Sequence, residues 1–168
     1  MRSRKGFTLV ELVVVIAIIG VLAAILVPSM LTYIKKARLK TSNGNAKTAY
    51  NAVIAFLIEK ETEGIAKSKV IADYCNVAID CRIPPEMAMN ALQLEVHETL
   101  EQNGIDSGIV YIGSTKLAGS EADNYFVQWT RSIIDDNKES IVGQYPDPVN
   151  WTYYKANGCT WGKYMTIK

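Results

Sequence analysis

An α+β fold is predicted by three observations. The chain opens with an almost uninterrupted apolar run from Phe7 to Val27; apolar residues then recur at helical spacing to about Glu63; and the last third consists of short segments rich in β-branched and aromatic residues. A long helix with a small antiparallel sheet packed on its outer half accounts for all three.

The apolar run comes first. Between Phe7 and Val27 only Thr8 and Glu11 carry polar side chains. As a helix this stretch is about 30 Å long, enough to cross the hydrocarbon core of a bilayer. A charged side chain inside a membrane helix costs roughly 2.5 to 3.5 kcal/mol, so Glu11 implies a compensating partner. Arg2, Arg4 and Lys5 precede the run. By the positive-inside rule they hold the N-terminus in the cytoplasm and send everything after Val27 outside. An ordinary secretory signal would be cut after the apolar run, at small residues such as Ala23-Ala24, and would leave Glu11 without a purpose.

Beyond Pro28 the pattern turns periodic. Met30, Ile34, Ala37, Ala46, Ala49, Val53 and Phe56 recur every three or four residues or multiples of that, which predicts an amphipathic continuation of the same helix. Lys35, Lys36, Arg38 and Lys40 mark its exit from the membrane. Pro28 removes one helical hydrogen bond and predicts a kink. Ser42-Asn43-Gly44-Asn45 is a weak-helix patch predicted to bend or fray, and Gly64 is the expected C-terminal stop.

Residues 66 to 83 then read as a connecting loop. Pro84-Pro85 predicts the start of a second helix that buries Met89, Leu92, Val96 and Leu100 and ends at Asn103-Gly104. Strands are predicted over Gly108 to Ile112, Tyr125 to Arg131, Glu139 to Tyr145, Trp151 to Lys155 and Trp161 to Ile167, with a turn at Asp135-Asp136-Asn137.

The residues Lys5-Gly6-Phe7-Thr8-Leu9-Val10-Glu11-Leu12 resemble the processing site of type IV pilins and the type II secretion pseudopilins. That family has a short basic leader ending in glycine, a phenylalanine that becomes the new N-terminus, and a glutamate four residues beyond it. Gly20 and Pro28 stand at spacings similar to the family's helix-breaking residues. The resemblance covers about the first thirty residues and implies three parts: a leader (1–6), a transmembrane and filament-core helix (7–28), and a globular head that includes the amphipathic helix half (29–168). It implies the sheet-on-helix arrangement, cleavage between Gly6 and Phe7 by a prepilin peptidase, methylation of the Phe7 amine, and an assembly role for Glu11. It also implies that the stretch from Gly20 to Pro28 can lose helicity in a filament. The implied partners are the membrane before assembly, the pilus assembly machinery, and other copies of the chain in a surface filament. The implied function is a structural subunit for adhesion or motility, with a secretion pseudopilin or a carbohydrate-binding surface adhesin as alternatives.

Composition narrows the chemistry. Lys and Arg number 18 against 17 for Asp and Glu, and loss of Arg2, Arg4 and Lys5 with a leader leaves 15 against 17, with no basic field for nucleic acid. Cys75, Cys81 and Cys159 lie in the exported part, where three thiols allow at most one internal disulfide. Cys75 with Cys81 would close a short loop, and either with Cys159 would tie down the C-terminus, which resembles the family's usual C-terminal loop. His97, the sole histidine, begins a His97-Glu98-Thr99-Leu100-Glu101 sequence that lacks the second histidine of a zinc-protease helix, and it is expected off the buried face. There is no Gly-x-Ser-x-Gly elbow, and no metal or cofactor site is assigned. Asp135, Asp136, Asn137 and Asp147 carry oxygens suited to calcium, but turn chemistry explains them better. Trp129, Trp151 and Trp161 are candidate stacking rings for a polysaccharide, although a buried aromatic core is the simpler account.

Overall fold

The computed structural model describes residues 6–85, 89–105, 108–115, 124–132 and 140–167. The elements in order are α1 (Leu9–Thr62), α2 (Lys67–Tyr74), β1 (Val77–Asp80), α3 (Ala91–Gln102), β2 (Ile109–Thr115), β3 (Asn124–Thr130), β4 (Val142–Tyr145) and α4 (Trp151–Asn157). The chain divides into two units, residues 1–37 and 38–168. The architecture is the α+β one expected from the sequence.

In the first unit every described residue from Gly6 to Leu31 is exposed. Helical structure continues through Pro28, so the proline deprives the Ala24 carbonyl of its usual partner without ending the helix.

The second unit is built on a meander. β1, β2, β3 and β4 lie side by side in chain order, each antiparallel to the next. Alternation along the strands separates two faces. Val110, Ile112, Val127 and Trp129 belong to one large core together with Ala46, Ala49, Val53 and Phe56 of α1 and Leu92, Val96 and Leu100 of α3. Tyr50 of α1 stacks on Tyr125 of β3 at 4.7 Å between ring centroids, and its other neighbour is Tyr145 at 4.9 Å.

The opposite face is covered by the C-terminal segment. Tyr111 and Phe126 meet Trp161 and Tyr164 at ring distances of 6.0 and 5.4 Å. Between them Gln128 and Gln144, paired across β3 and β4, are both fully buried. The Gln128 amide donates to the carbonyls of Thr160 and Lys163 and accepts from Gly162 N–H. The Gln144 amide donates to the Met165 carbonyl at 2.7 Å and accepts from Met165 N–H at 2.8 Å. Two side-chain amides thus imitate the missing neighbouring strand, which satisfies the buried backbone of an irregular segment.

Several sequence expectations change here. Residues 66–83 form α2 and β1 rather than a loop, because Val70, Ile71 and Ile79 each find a place in the large core. The second helix starts at Ala91, not at Pro84-Pro85. Asn90 and Gln93 form a reciprocal capping box, with both bonds at 2.9 Å, which supplies a stronger start than proline does. Trp151 to Lys155 is helical: Asn150 accepts from Tyr153 N–H at 2.8 Å and Gly158 ends the turn at φ 72°. Capping chemistry outweighs the strand preference of aromatic residues there. Trp161 to Ile167 is irregular rather than a strand, held by Gln128 and Gln144 instead of a ladder. The predicted turn at Asp135-Asp136-Asn137 lies outside the described residues.

The weak-helix patch is also reassigned. Residues 42–45 remain helical, and Ser42 is buried. Asn43 accepts from the backbone N–H groups of Gln144 and Val149 and donates to the Val149 carbonyl, at 3.1, 3.2 and 2.8 Å. A Cβ built on Gly143 would lie 2.0 Å from the carbonyl carbon of Ser42, so helix and strand touch backbone to backbone there. Ser42 and Asn43, weak helix formers by themselves, supply the close approach and the hydrogen bonds of the docking seam.

The two expected helix stops hold. Ile65 and Gly64 donate to the carbonyls of Lys60 and Glu61, and Ile105 and Gly104 repeat the pattern with Leu100 and Glu101. Both glycines have positive φ, 84° and 70°, as this paired termination requires.

Candidate functional site: the N-terminal assembly segment

The segment from Phe7 onward combines apolar exposure with one carboxylate. Ile16 and Ile18 are 58% and 56% exposed, whereas Ala46 and Ala49 of the same helix are fully buried. The helix is long and apolar enough to cross a membrane, and its most apolar window is wholly unburied within the chain.

Thr8 and Glu11 organise its start. Thr8 N–H and Thr8 Oγ1–H both donate to Glu11 Oε2, each at 2.8 Å, and Glu11 N–H donates back to Thr8 Oγ1 at 3.3 Å. The first helical bond, Leu12 N–H to the Thr8 carbonyl, follows at 3.3 Å. This is a capping box, with Thr8 as the cap and Glu11 three residues on. Its sequence signature, Thr-x-x-Glu ahead of an apolar run, was readable without coordinates, yet Thr8 had no role in the sequence analysis. The carboxylate also stands in the first turn, where the helix dipole favours negative charge. Gly6 and Phe7 precede the helix, in non-helical chain. Gly20 and Pro28 both lie within it, and a Cβ at Gly20 would meet nothing within 4 Å.

The prokaryotic N-terminal methylation motif matches residues 1–27.

Individual relatives match over somewhat longer stretches. Fimbrial protein Q of Moraxella bovis is 44% identical over 68 residues, covering 40% of this chain and 43% of that protein. The type IV major alpha-pilin of Moraxella bovis is 47% identical over 62 residues, covering 37% and 39%. The type IV wide pilus major component PilA4 of Thermus thermophilus is 52% identical over 50 residues, covering 30% and 34%. The chain therefore aligns with about two fifths or less of each of these relatives. No solved structure matches it. The motif and the relatives identify the N-terminal segment as type IV pilin-like.

The remaining candidate residues lie in the head. Cys75, Cys81 and Cys159 are free thiols. Asn76 N–H bonds to Ile112 and Cys81 N–H to Gly108, so Cys75 and Cys81 flank opposite ends of β1, whose four residues alone span about 10 Å. A disulfide needs Cα atoms within about 7 Å. Cys159 packs against the smaller cluster of Leu39, Val142, Val149 and Met165, away from the core that holds the other two. Burial pushes the Cys75 thiol up to about 11, and burial followed by the nearby Asp80 charge does the same for Cys81.

His97 is buried, contrary to the sequence reading. Its Nε2 lies 3.1 Å from the Ile83 carbonyl, which can only accept, so Nε2 carries the proton. Residues 81–85 share a cavity wall with His97 and Glu101 and widen the buried stripe of α3 to include it. Asp147, at φ 59°, accepts a hydrogen bond from the Tyr164 hydroxyl, which makes it part of the C-terminal packing. Asp135, Asp136 and Asn137 lie outside the described residues.

The three tryptophans separate. Trp129 is 5% exposed and belongs to the large core, so it offers no ring to a polysaccharide. Trp161 packs near Tyr111 on the second sheet face, and Trp151 stacks on Tyr154 with centroids 5.4 Å apart; both are half-buried.

Proposed function

We propose that this chain is the precursor of a structural subunit of a type IV pilus. Prepilin peptidase cuts between Gly6 and Phe7, and the new Phe7 amine is methylated. That chemistry belongs to the peptidase; no residue of this chain is assigned a catalytic role. The mature subunit waits in the cytoplasmic membrane with residues 7–28 in lipid and the head outside. Assembly machinery then transfers it to a filament whose core is made of these apolar helices. Polymerisation with copies of itself gives the exposed apolar face the burial that its own head does not provide.

The observation that carries this reading is a membrane-length apolar stretch at the start of α1, exposed throughout residues 9–33, interrupted by one carboxylate, and lying mostly inside the methylation motif matched at residues 1–27. In low dielectric the carboxylate of Glu11 requires a cation, and the amine of Phe7 on a neighbouring subunit supplies it. The pairing also acts as a register device, because a subunit docked out of step leaves an unpaired charge in an apolar core. Mass spectrometry of protein sheared from cells tests the reading. A methylated Phe7 at the N-terminus is expected; an intact Met1, or a start after Ala24, overturns it.

A further inference from the structure

We propose that Thr8 is a positioning residue for assembly: it clamps one oxygen of the Glu11 carboxylate and leaves the other directed to a neighbouring subunit. The inference rests on the assembly role of Glu11 argued above. Its basis is the distribution of hydrogen bonds. Both donors of Thr8, the backbone N–H and the hydroxyl, land on Oε2 of Glu11, and the hydroxyl in turn accepts from Glu11 N–H. This three-bond ring restricts the side-chain torsions of Glu11 before any partner arrives. No described residue donates to Oε1.

The consequence is a carboxylate already fixed in place. A free glutamate side chain loses rotamer entropy when it is immobilised, and the cap incurs that loss within the subunit, ahead of docking. The cap also matters before assembly. In lipid an ionised carboxylate without donors is strongly disfavoured, and Thr8 supplies two donors from the adjacent turn. Cap and neighbour do not compete, because the cap occupies Oε2 and the incoming amine has Oε1. Thr8 thus makes a single subunit tolerable in the membrane and selective in the filament.

Three variants of the full chain in its native host test this. Thr8→Val keeps shape and branching but removes the hydroxyl. It is expected to lower filament yield per processed subunit about fivefold, the scale of a lost N-cap. Thr8→Ser restores the hydroxyl and is expected to return the yield to near wild type. Glu11→Gln keeps an acceptor oxygen for the cap but has no charge, and it is expected to lose assembly more completely than Thr8→Val. Yield is read by quantitative immunoblotting of sheared and membrane fractions, each normalised to subunit that begins at Phe7. Normal yield from Thr8→Val, or failure of Thr8→Ser to rescue, overturns the role of Thr8. Normal yield from Glu11→Gln overturns the charge pairing itself, whatever Thr8 does.

Discussion

The two halves of α1 obey opposite rules. Residues 9–37 are the more apolar and are exposed apart from half-buried Ile34, whereas residues 38–62 carry lysines, threonines and asparagines and contain every buried position of the helix. Hydrophobicity alone does not decide burial within a chain. The second half is buried where small residues, Ala46, Ala49 and Ala52, let the sheet and α3 approach. The first half carries large branched side chains on every side, most of them exposed. A helix that is apolar on every side requires an apolar surrounding, whether lipid or other copies of itself. The second half finds its burial within the chain, and the composition of the first suits burial in lipid or against other copies.

The largest expected effect falls on the first half. With Glu11 paired as proposed above, Glu11→Ala leaves the Phe7 amine in the filament core without a partner, and breaking a buried pair by deleting one member costs about 3 to 5 kcal/mol. Filaments are expected to be nearly absent by electron microscopy, while membrane insertion and cleavage at Gly6-Phe7 persist in cell fractions. Normal fibre yield would break the comparison, since the first half would then need no specific partner.

Next comes the seam of the second half. Gly143→Ala places a methyl group 2.0 Å from the Ser42 backbone, where neither helix nor strand yields easily. Overpacking of this kind costs about 3 kcal/mol, equivalent to a melting point about 10 °C lower for a head of this size. Calorimetry of the head is the check, and an unchanged midpoint would mean that the seam is loose.

A smaller effect concerns alkali. Cys75 and Cys81 titrate at about 11 in the folded head, against 9.0 in the unfolded chain. Below pH 9 both states hold the protons and stability is unaffected. Above it the unfolded thiols ionise first, so stability declines as pH rises from about 9 through 11. Replacing both by serine is expected to flatten that decline in a pH series of denaturant midpoints. Alkylation at pH 8.5 is likewise expected to be slow until the head unfolds.

The smallest effect sharpens the comparison from the other side. A truncated chain beginning at Ser29 is expected to be a soluble folded monomer, because the buried residues of α1 start at Leu39. Analytical ultracentrifugation and a single cooperative melt would show this. Unaided filament formation by that chain would mean that intermolecular burial does not reside in the first half.

Much of the candidate site was legible because it depends on local covalent order. Gly6, Phe7 and Glu11 are defined by their spacing, and the Thr-x-x-Glu cap is visible in the same way. Helix stops at Gly64 and Gly104 were readable for the same reason: only glycine takes positive φ without strain. The amphipathic helix followed from periodicity, which records which face is apolar, and the strands β2 and β3 from their β-branched and aromatic runs between turn residues. Tertiary structure alone decided everything that rests on contact between distant residues. Asn43 became a hub because β4 and Val149 lie against it, 101 and 106 residues further along the chain. His97 became internal because residues 81–85 line one cavity with it and the Ile83 carbonyl meets its Nε2. Gln128 and Gln144 read as polar strand residues, and only the C-terminal segment laid over them makes them the core of a layer. Sequence patterns specify what each residue can satisfy, whereas partners remote in the chain determine which of those capacities is used.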